Sequence, residues 1–164
     1  MKPNASSLRA LILCTGNSAR SILAEYLLRH FGAGRFDSYS AGSKPVGRVN
    51  PYALRVLHEV YGIDARDARS KSWNEFQGQS FDYVITVCDH AKDACPVWPA
   101  AAIIAHWSSP DPAAATGTDE EKFQAFTDVA AEIAQRVKRL CALSPEDARH
   151  AEFARAIGMP LETA

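Results

Sequence analysis

The hydrophobic positions along the chain change their period several times, and each change marks an element. Residues 8–13 are almost continuously apolar through Leu8, Leu11, Ile12 and Leu13. The run is too short to span a bilayer and suits a strand buried on both faces of a parallel sheet. From Ala19 the spacing turns helical: Leu23, Leu27, Leu28 and Phe31 share a stripe, Arg20, Glu25 and Arg29 lie off it, and Gly32 follows as a stop. This spacing predicts a helix from Ala19 to Phe31. The alternation over Phe36–Gly42 predicts a second strand. Asn50-Pro51 then supplies a cap and a first-turn proline ahead of Leu54, Leu57, Val60 and Tyr61, with Gly62 as the end.

Residues 63–79 are mixed and polar, with one short helical candidate at Ser72–Phe76 whose Trp73 and Phe76 turn inward. Phe81–Cys88, rich in aromatic and β-branched residues, predicts the third strand, and residues 101–107 the fourth. Ser109-Pro110-Asp111-Pro112 cannot continue a central strand, which puts Asp111 on a loop. Thr118 and Glu121 form a capping box before a long helix marked by Phe123, Phe126, Val129, Ala130, Ile133, Val137 and Leu140. Cys141 falls in that apolar pattern and reads as packing. Ser144-Pro145 begins another helical pattern that runs through Phe153, Ala156 and Ile157. With right-handed crossovers this order predicts an α/β fold, a four-stranded parallel sheet, doubly wound, with helices on both faces. Residues 1–7 read as a disordered terminus, 8–143 as one catalytic domain and 144–164 as a helical tail.

Composition narrows the function. The 164 residues, 47% hydrophobic and 23% charged, suffice for one full core. Basic and acidic residues balance at 18 and 19, a net charge of -1, so no footprint for nucleic acid or anionic membrane exists and any anion affinity has to be local. The opening residues lack the apolar centre of a signal peptide and no stretch reaches the roughly 20 apolar residues of a membrane span. A cytoplasmic location is expected. In that compartment four cysteines point to redox or catalytic work before structural disulfides.

The first strand ends on Cys14, and Thr15-Gly16-Asn17-Ser18-Ala19 lead through Arg20 and Ser21 into the first helix. Ligands of open α/β sheets bind at the carboxyl ends of the strands, where small residues let consecutive backbone N–H groups point at a tetrahedral oxyanion. Arg20 adds a permanently charged fork. A thiol surrounded by amide dipoles, a helix N-terminus and a guanidinium should lose its proton easily, which makes Cys14 a candidate nucleophile.

Cys14-Thr15-Gly16-Asn17-Ser18-Ala19-Arg20-Ser21 resembles the phosphate loop of the low-molecular-weight tyrosine phosphatase superfamily, which includes the thioredoxin-coupled arsenate reductases. Ser40-Ala41-Gly42 and Asp111-Pro112 also match, so the resemblance runs from about Leu8 to about Leu143. It implies the same architecture. It also implies that Asn17 and Ser40 brace the loop and that Asp111 acts as general acid, while Ser21 bonds the Cys14 sulfur or merely caps the helix.

Cys88 and Cys95 lie seven positions apart on a polar loop after the third strand. With His90 they supply at most three zinc ligands, without a partner pair, and no metal is expected. They read instead as a thiol relay, Cys88 reaching Cys14 when the loop closes and Cys95 then reaching Cys88. The arsenate reductases carry a cysteine pair at this spacing. That resemblance implies arsenate held by the loop amides and Arg20, attack on arsenic by Cys14, release of arsenite as Cys88 attacks Cys14, and transfer of the disulfide to Cys88–Cys95 for reduction by thioredoxin. No cofactor is implied, and a monomer is expected.

Some arsenate reductases hold potassium behind the loop through counterparts of Asn17, Glu25, Ser40 and an aspartate; here Ser70-Lys71-Ser72 falls near that aspartate. Either the ammonium of Lys71 replaces the ion, or Lys71 is exposed and makes no contact with the loop. Ala19 stands where many relatives carry another cysteine, and Ala113-Ala114-Ala115 offer no aromatic ring of the kind phosphatases stack on phosphotyrosine. His90 and His106 are assigned no chemistry. Two alternatives remain: a low-molecular-weight protein tyrosine phosphatase and a non-enzymatic, redox-sensitive oxyanion-binding module.

Overall fold

The computed structural model of the chain describes residues 7–88, 102–150 and 157. Four strands, β1 (Leu8–Cys14), β2 (Phe36–Gly42), β3 (Tyr83–Thr86) and β4 (Ile103–His106), form one parallel sheet in the order β2-β1-β3-β4. The continuous apolar run makes β1 a central strand, buried along nearly its whole length. Its register pairs Cys14 with Gly42 and Leu13 with Thr86, while Thr86 pairs with His106. The carboxyl ends of all four strands therefore finish at one edge, and that edge carries Cys14.

β3 and β4 are shorter than their apolar patterns suggest. Both ladders fray by single bonds, with Val87 N–H donating to Leu13 O at 3.0 Å and Trp107 N–H to Thr86 O at 2.7 Å. Cys88 thus lies two residues past β3 rather than at its last position. Phe81 leaves the strand to cover the opposite face.

Three helices, α1 (Arg20–Phe31), α2 (Pro51–Tyr61) and α3 (Asp119–Ala142), pack together over Ala10, Ile12, Tyr83 and Ile85 in the larger core cluster. Asn50 caps α2 by accepting Tyr52 N–H at 2.9 Å, and Gly62 closes it at φ 68. Thr118 Oγ1 takes Glu121 N–H at 3.1 Å at the start of α3, but the Glu121 carboxylate accepts the Thr118 hydroxyl at 3.2 Å instead of its backbone N–H, so the capping box is half formed. Arg35 ties down the far end of α3 by donating to the carbonyls of Cys141 and Leu143. Cys141 itself is half-buried against the core.

The second face, Leu11, Leu13, Ala41 and Val84, is covered by Phe76 and Phe81 with half-buried Tyr39 and Trp73. Phe76 and Trp73 come from a 3₁₀ turn at Trp73–Phe76, where Ser72 Oγ takes Asn74 N–H at 3.1 Å. Of the helix expected from Ser144, residues 144–150 show a 3₁₀ turn at Asp147–Arg149, with Ser144 Oγ accepting Asp147 N–H at 3.0 Å, and Ile157 is helical. Ile157 joins the main core. The expectations for residues 1–6, Phe153, Ala156, His90 and Cys95 fall outside the described residues.

Candidate active site

The loop between β1 and α1 is shaped by what holds its carbonyls. Cys14 O accepts Ser43 N–H at 3.2 Å, Thr15 O accepts Lys44 N–H at 2.9 Å, Gly16 O accepts Val46 N–H at 3.0 Å, and Ser18 O accepts Asn50 N–H at 2.8 Å. Ser70 Oγ donates to Gly16 O as well, at 3.0 Å. In a planar trans peptide the N–H points opposite to the C=O, so where these four carbonyls face the 43–50 connection the amides that follow them point the other way. One of them, the Thr15 N–H, donates to the Cys14 sulfur.

Two positions make this geometry possible. Gly42 has no room for a side chain, because a Cβ there would sit 2.4 Å from Thr15 O. Asn17 adopts φ 47, a left-handed conformation costly for a residue with a side chain. Its buried amide offsets that cost: Nδ2 donates to Ser21 Oγ at 2.8 Å and Ser40 Oγ at 2.9 Å, while Oδ1 accepts Lys71 N–H at 2.9 Å. Ser21 is thus placed on Asn17, and the helix N-cap is Ala19, which makes no side-chain cap.

Behind Asn17 lies a buried polar cluster. Ser40 Oγ donates to Glu25, whose other carboxylate oxygen pairs with Arg29 at 2.6 Å. The Lys71 ammonium sits 3.1 Å from Arg69 O, 3.5 Å from Ser40 Oγ and 3.7 Å from Glu25 Oε1. Burial lowers the Lys71 pKa, and the Glu25 carboxylate works against that shift. The cation therefore stands among the acceptors that brace the loop.

At the rim, the side chains of Cys14 and Cys88 are both buried and hydrogen-bonded to each other, with Thr15 Oγ1 3.4 Å from Cys88 Sγ. Both are thiols, not joined in a disulfide. Two expectations change here. Cys88 needs no loop closure to reach Cys14, because the last β3 ladder bond, Val87 to Leu13, already delivers it over the loop. Cys14 also does not lose its proton easily in this arrangement. The hydrogen bond with Cys88, followed by burial, pushes its thiol well above the ordinary value, against the Arg20 charge and the Thr15 backbone N–H that pull it down.

Arg20 is half-buried, acts on Cys14 and donates from Nη1 to Ser109 O at 3.0 Å. Asp111 is exposed on the loop after β4, with Oδ1 accepting Ala113 N–H at 3.0 Å at the start of a 3₁₀ turn, Pro112–Ala114. Half-buried His106 is engaged within the sheet, its Nδ1 2.7 Å from Thr86 Oγ1. Sequence reasoning missed Ser70 and Ser109. Both contact the loop or Arg20 through single polar bonds that leave no periodic signal. Among the described residues no group of three or more His, Cys, Asp or Glu could hold a metal, and no helix is long and apolar enough to cross a membrane. A cavity of about 540 Å³ beside α2, lined by Leu54, Arg55, His58 and residues 63–66, shares no residue with the loop.

Comparison with known proteins agrees with this arrangement. The sequence profile of the family described as low molecular weight phosphotyrosine protein phosphatase matches residues 9–150. An arsenate reductase of Halalkalibacterium halodurans is 43% identical over 126 residues, 77% of this chain and 89% of that protein. The crystal structure of an arsenate reductase from Archaeoglobus fulgidus superposes with a TM-score of 0.63 at 31% identity, covering 82% of this chain and 99% of that one. A thioredoxin-dependent arsenate reductase from Corynebacterium glutamicum gives a TM-score of 0.59 at 26% identity, covering 82% of this chain and 63% of that one. With its parallel sheet, strand order and the loop from Cys14 into α1 in place, the chain belongs to the low molecular weight phosphotyrosine protein phosphatase family.

Proposed function

We propose that this protein is an arsenate reductase that works through Cys14, Cys88 and Cys95. The observation that carries the reading is the contact between two thiols at the loop, Cys14 and Cys88. Phosphoryl transfer by this loop needs one nucleophile. Reduction of arsenic needs two electrons, and a second sulfur within bonding reach supplies the second. The arsenate reductases among its relatives support the same reading.

In this mechanism the amides of residues 15–20 and the Arg20 fork hold the oxyanion, and Cys14 attacks arsenic as the proton leaves its sulfur. Asp111 protonates the departing oxygen, which leaves as water. Cys88 then attacks the Cys14 sulfur; the sulfur–arsenic bond breaks and its electron pair stays on arsenic, released as arsenite. One arsenate and two thiols give one arsenite, one water and one disulfide. Cys95 attacks Cys88 next and frees Cys14, and thioredoxin reduces the Cys88–Cys95 disulfide. The similarity to a thioredoxin-dependent enzyme supports this last partner. One chain holds all three sulfurs, so a monomer suffices, and a reducing cytoplasm returns them to thiols. Lys71 stands in for a potassium ion behind the loop in this reading.

The test is arsenate-dependent NADPH oxidation in the presence of thioredoxin and thioredoxin reductase. Wild type turns over many times, and Cys95→Ala stops after about one turnover. Hydrolysis of aryl phosphates is the second reading, favoured by the Cys14–Arg20 loop taken alone. Full-rate phosphotyrosine hydrolysis without arsenate-dependent oxidation would establish it instead.

A further inference from the structure

The segment after β4 is gripped at two consecutive carbonyls by arginines from different helices. Ser108 O accepts Arg136 Nη1 at 2.7 Å, and Ser109 O accepts Arg20 Nη1 at 3.0 Å. Trp107 and Ser109 are buried, and the Ser109 hydroxyl donates back to Trp107 O at 3.4 Å. From Ser109 the chain runs Pro110-Asp111-Pro112, with φ fixed at both prolines and the residues before them restricted. A displacement at Ser108 is therefore passed on to Asp111 with little slack.

Arg136 is an expensive way to make one carbonyl bond. It is 3% exposed on α3, its acidic neighbour Glu132 is 3.4 Å away and itself partly exposed, and its Nε has no partner among the described residues. A buried guanidinium with incomplete pairing gives little stability in return for its desolvation. Packing alone would favour an apolar chain at this place, between Ile133 and Leu140 on the inner face of the helix.

We infer that Arg136 is a positioning residue for the reaction: by holding the Ser108 carbonyl it sets where the Asp111 carboxyl stands relative to the loop anion. Arg20 divides its donors between that anion and Ser109, and Arg136 is the fixed end of the arm. This inference rests on the reading of Asp111 as the general acid.

The experiment is a double-mutant cycle on the full chain with Arg136→Met, Asp111→Asn and the double variant. The readouts are the single-turnover rate of Cys14–Cys88 disulfide formation from arsenate, the phosphate dissociation constant and the melting temperature. Arg136→Met is expected to slow the single turnover about 10- to 100-fold, the scale of a misplaced catalytic group. Phosphate binding should stay within about twofold, since no anion-binding group is touched. Asp111→Asn should slow the step at least about 100-fold, and the double variant should be no slower than Asp111→Asn alone. Arg136→Lys, which keeps one donor, should recover most of the rate; it also carries the cycle if the methionine variant does not fold.

A wild-type rate in Arg136→Met, or losses that multiply in the double variant, would overturn the inference while leaving Asp111 as the acid. A full rate in Asp111→Asn would overturn the general-acid reading, and this inference with it. If wild type reduces no arsenate, the same cycle is read on aryl phosphates. There Arg136→Met should slow phenyl phosphate, whose leaving group needs a proton, more than para-nitrophenyl phosphate. Equal slowing of the two would overturn it.

Discussion

At the scale of single residues the decisive pair is Cys14 and Cys88. Two of the local features expected to ionise Cys14 are present: Arg20 and the Thr15 amide both lower its pKa. They are outweighed by a sulfur brought in from 74 residues away, a partner that no local reading can weigh. Because the hydrogen bond with Cys88 is the largest cause of the raised value, removing it should release the opposing forces. Cys88→Ala is therefore expected to shift the pH midpoint of Cys14 alkylation by iodoacetamide downward, and Arg20→Ala to shift it upward. A midpoint unmoved by Cys88→Ala would show that burial dominates.

At the scale of elements, the unit of β1, loop and α1 was readable because its signals are contiguous: an apolar run, five small or polar residues, an arginine and a helical stripe. The ends of β3 and β4 were not, since apolar residues such as Phe81 and Trp107 serve packing beyond the ladder. Arg136 was hidden for a related reason. On the pattern alone it borders the apolar stripe of α3 like any flanking charge, and only the fold brings Ser108 beneath it. The segment before the 3₁₀ turn at Trp73–Phe76 carries no periodic signal, and only the resemblance pointed to Lys71; the fold delivers Ser70 to Gly16 and Lys71 to Asn17, Ser40 and Glu25. The brace between that segment and α1 can be tested as a unit. Lys71→Met should cost about 1–3 kcal/mol by leaving the buried Glu25 and Ser40 short of a partner. Potassium should restore part of the lost melting temperature in the variant and leave the wild type unchanged. A wild type whose stability or turnover rises with potassium would contradict the placement.

At the scale of the whole molecule, burial of groups that ionise at high pH makes stability depend on alkali. Burial holds Tyr83 up to about 12 from an ordinary 10.0, and raises Tyr26 and Tyr61 in the same direction, while Cys14 stands above its ordinary 9.0. The unfolded chain ionises these groups first, so their contribution is complete below about pH 9 and is lost as pH rises toward 12. Urea midpoints at pH 8, 9.5 and 11 should fall in that order, and Tyr83→Phe should flatten the last step. Midpoints that hold constant would mean the phenol is reached by water. The net charge of -1 leaves no broad field to gather anions, so on the proposed function selection falls to the loop, four of whose carbonyls are already committed to the 43–50 connection. A mould set during folding tells a tetrahedral anion from other shapes but barely tells phosphate from arsenate. On the proposed chemistry the choice between them is made later and irreversibly: phosphorus does not accept electrons from the second sulfur and its ester is hydrolysed or returned, whereas arsenic is discharged in a lower oxidation state. Abundant phosphate would then slow the enzyme as a competitor without ever diverting its electrons.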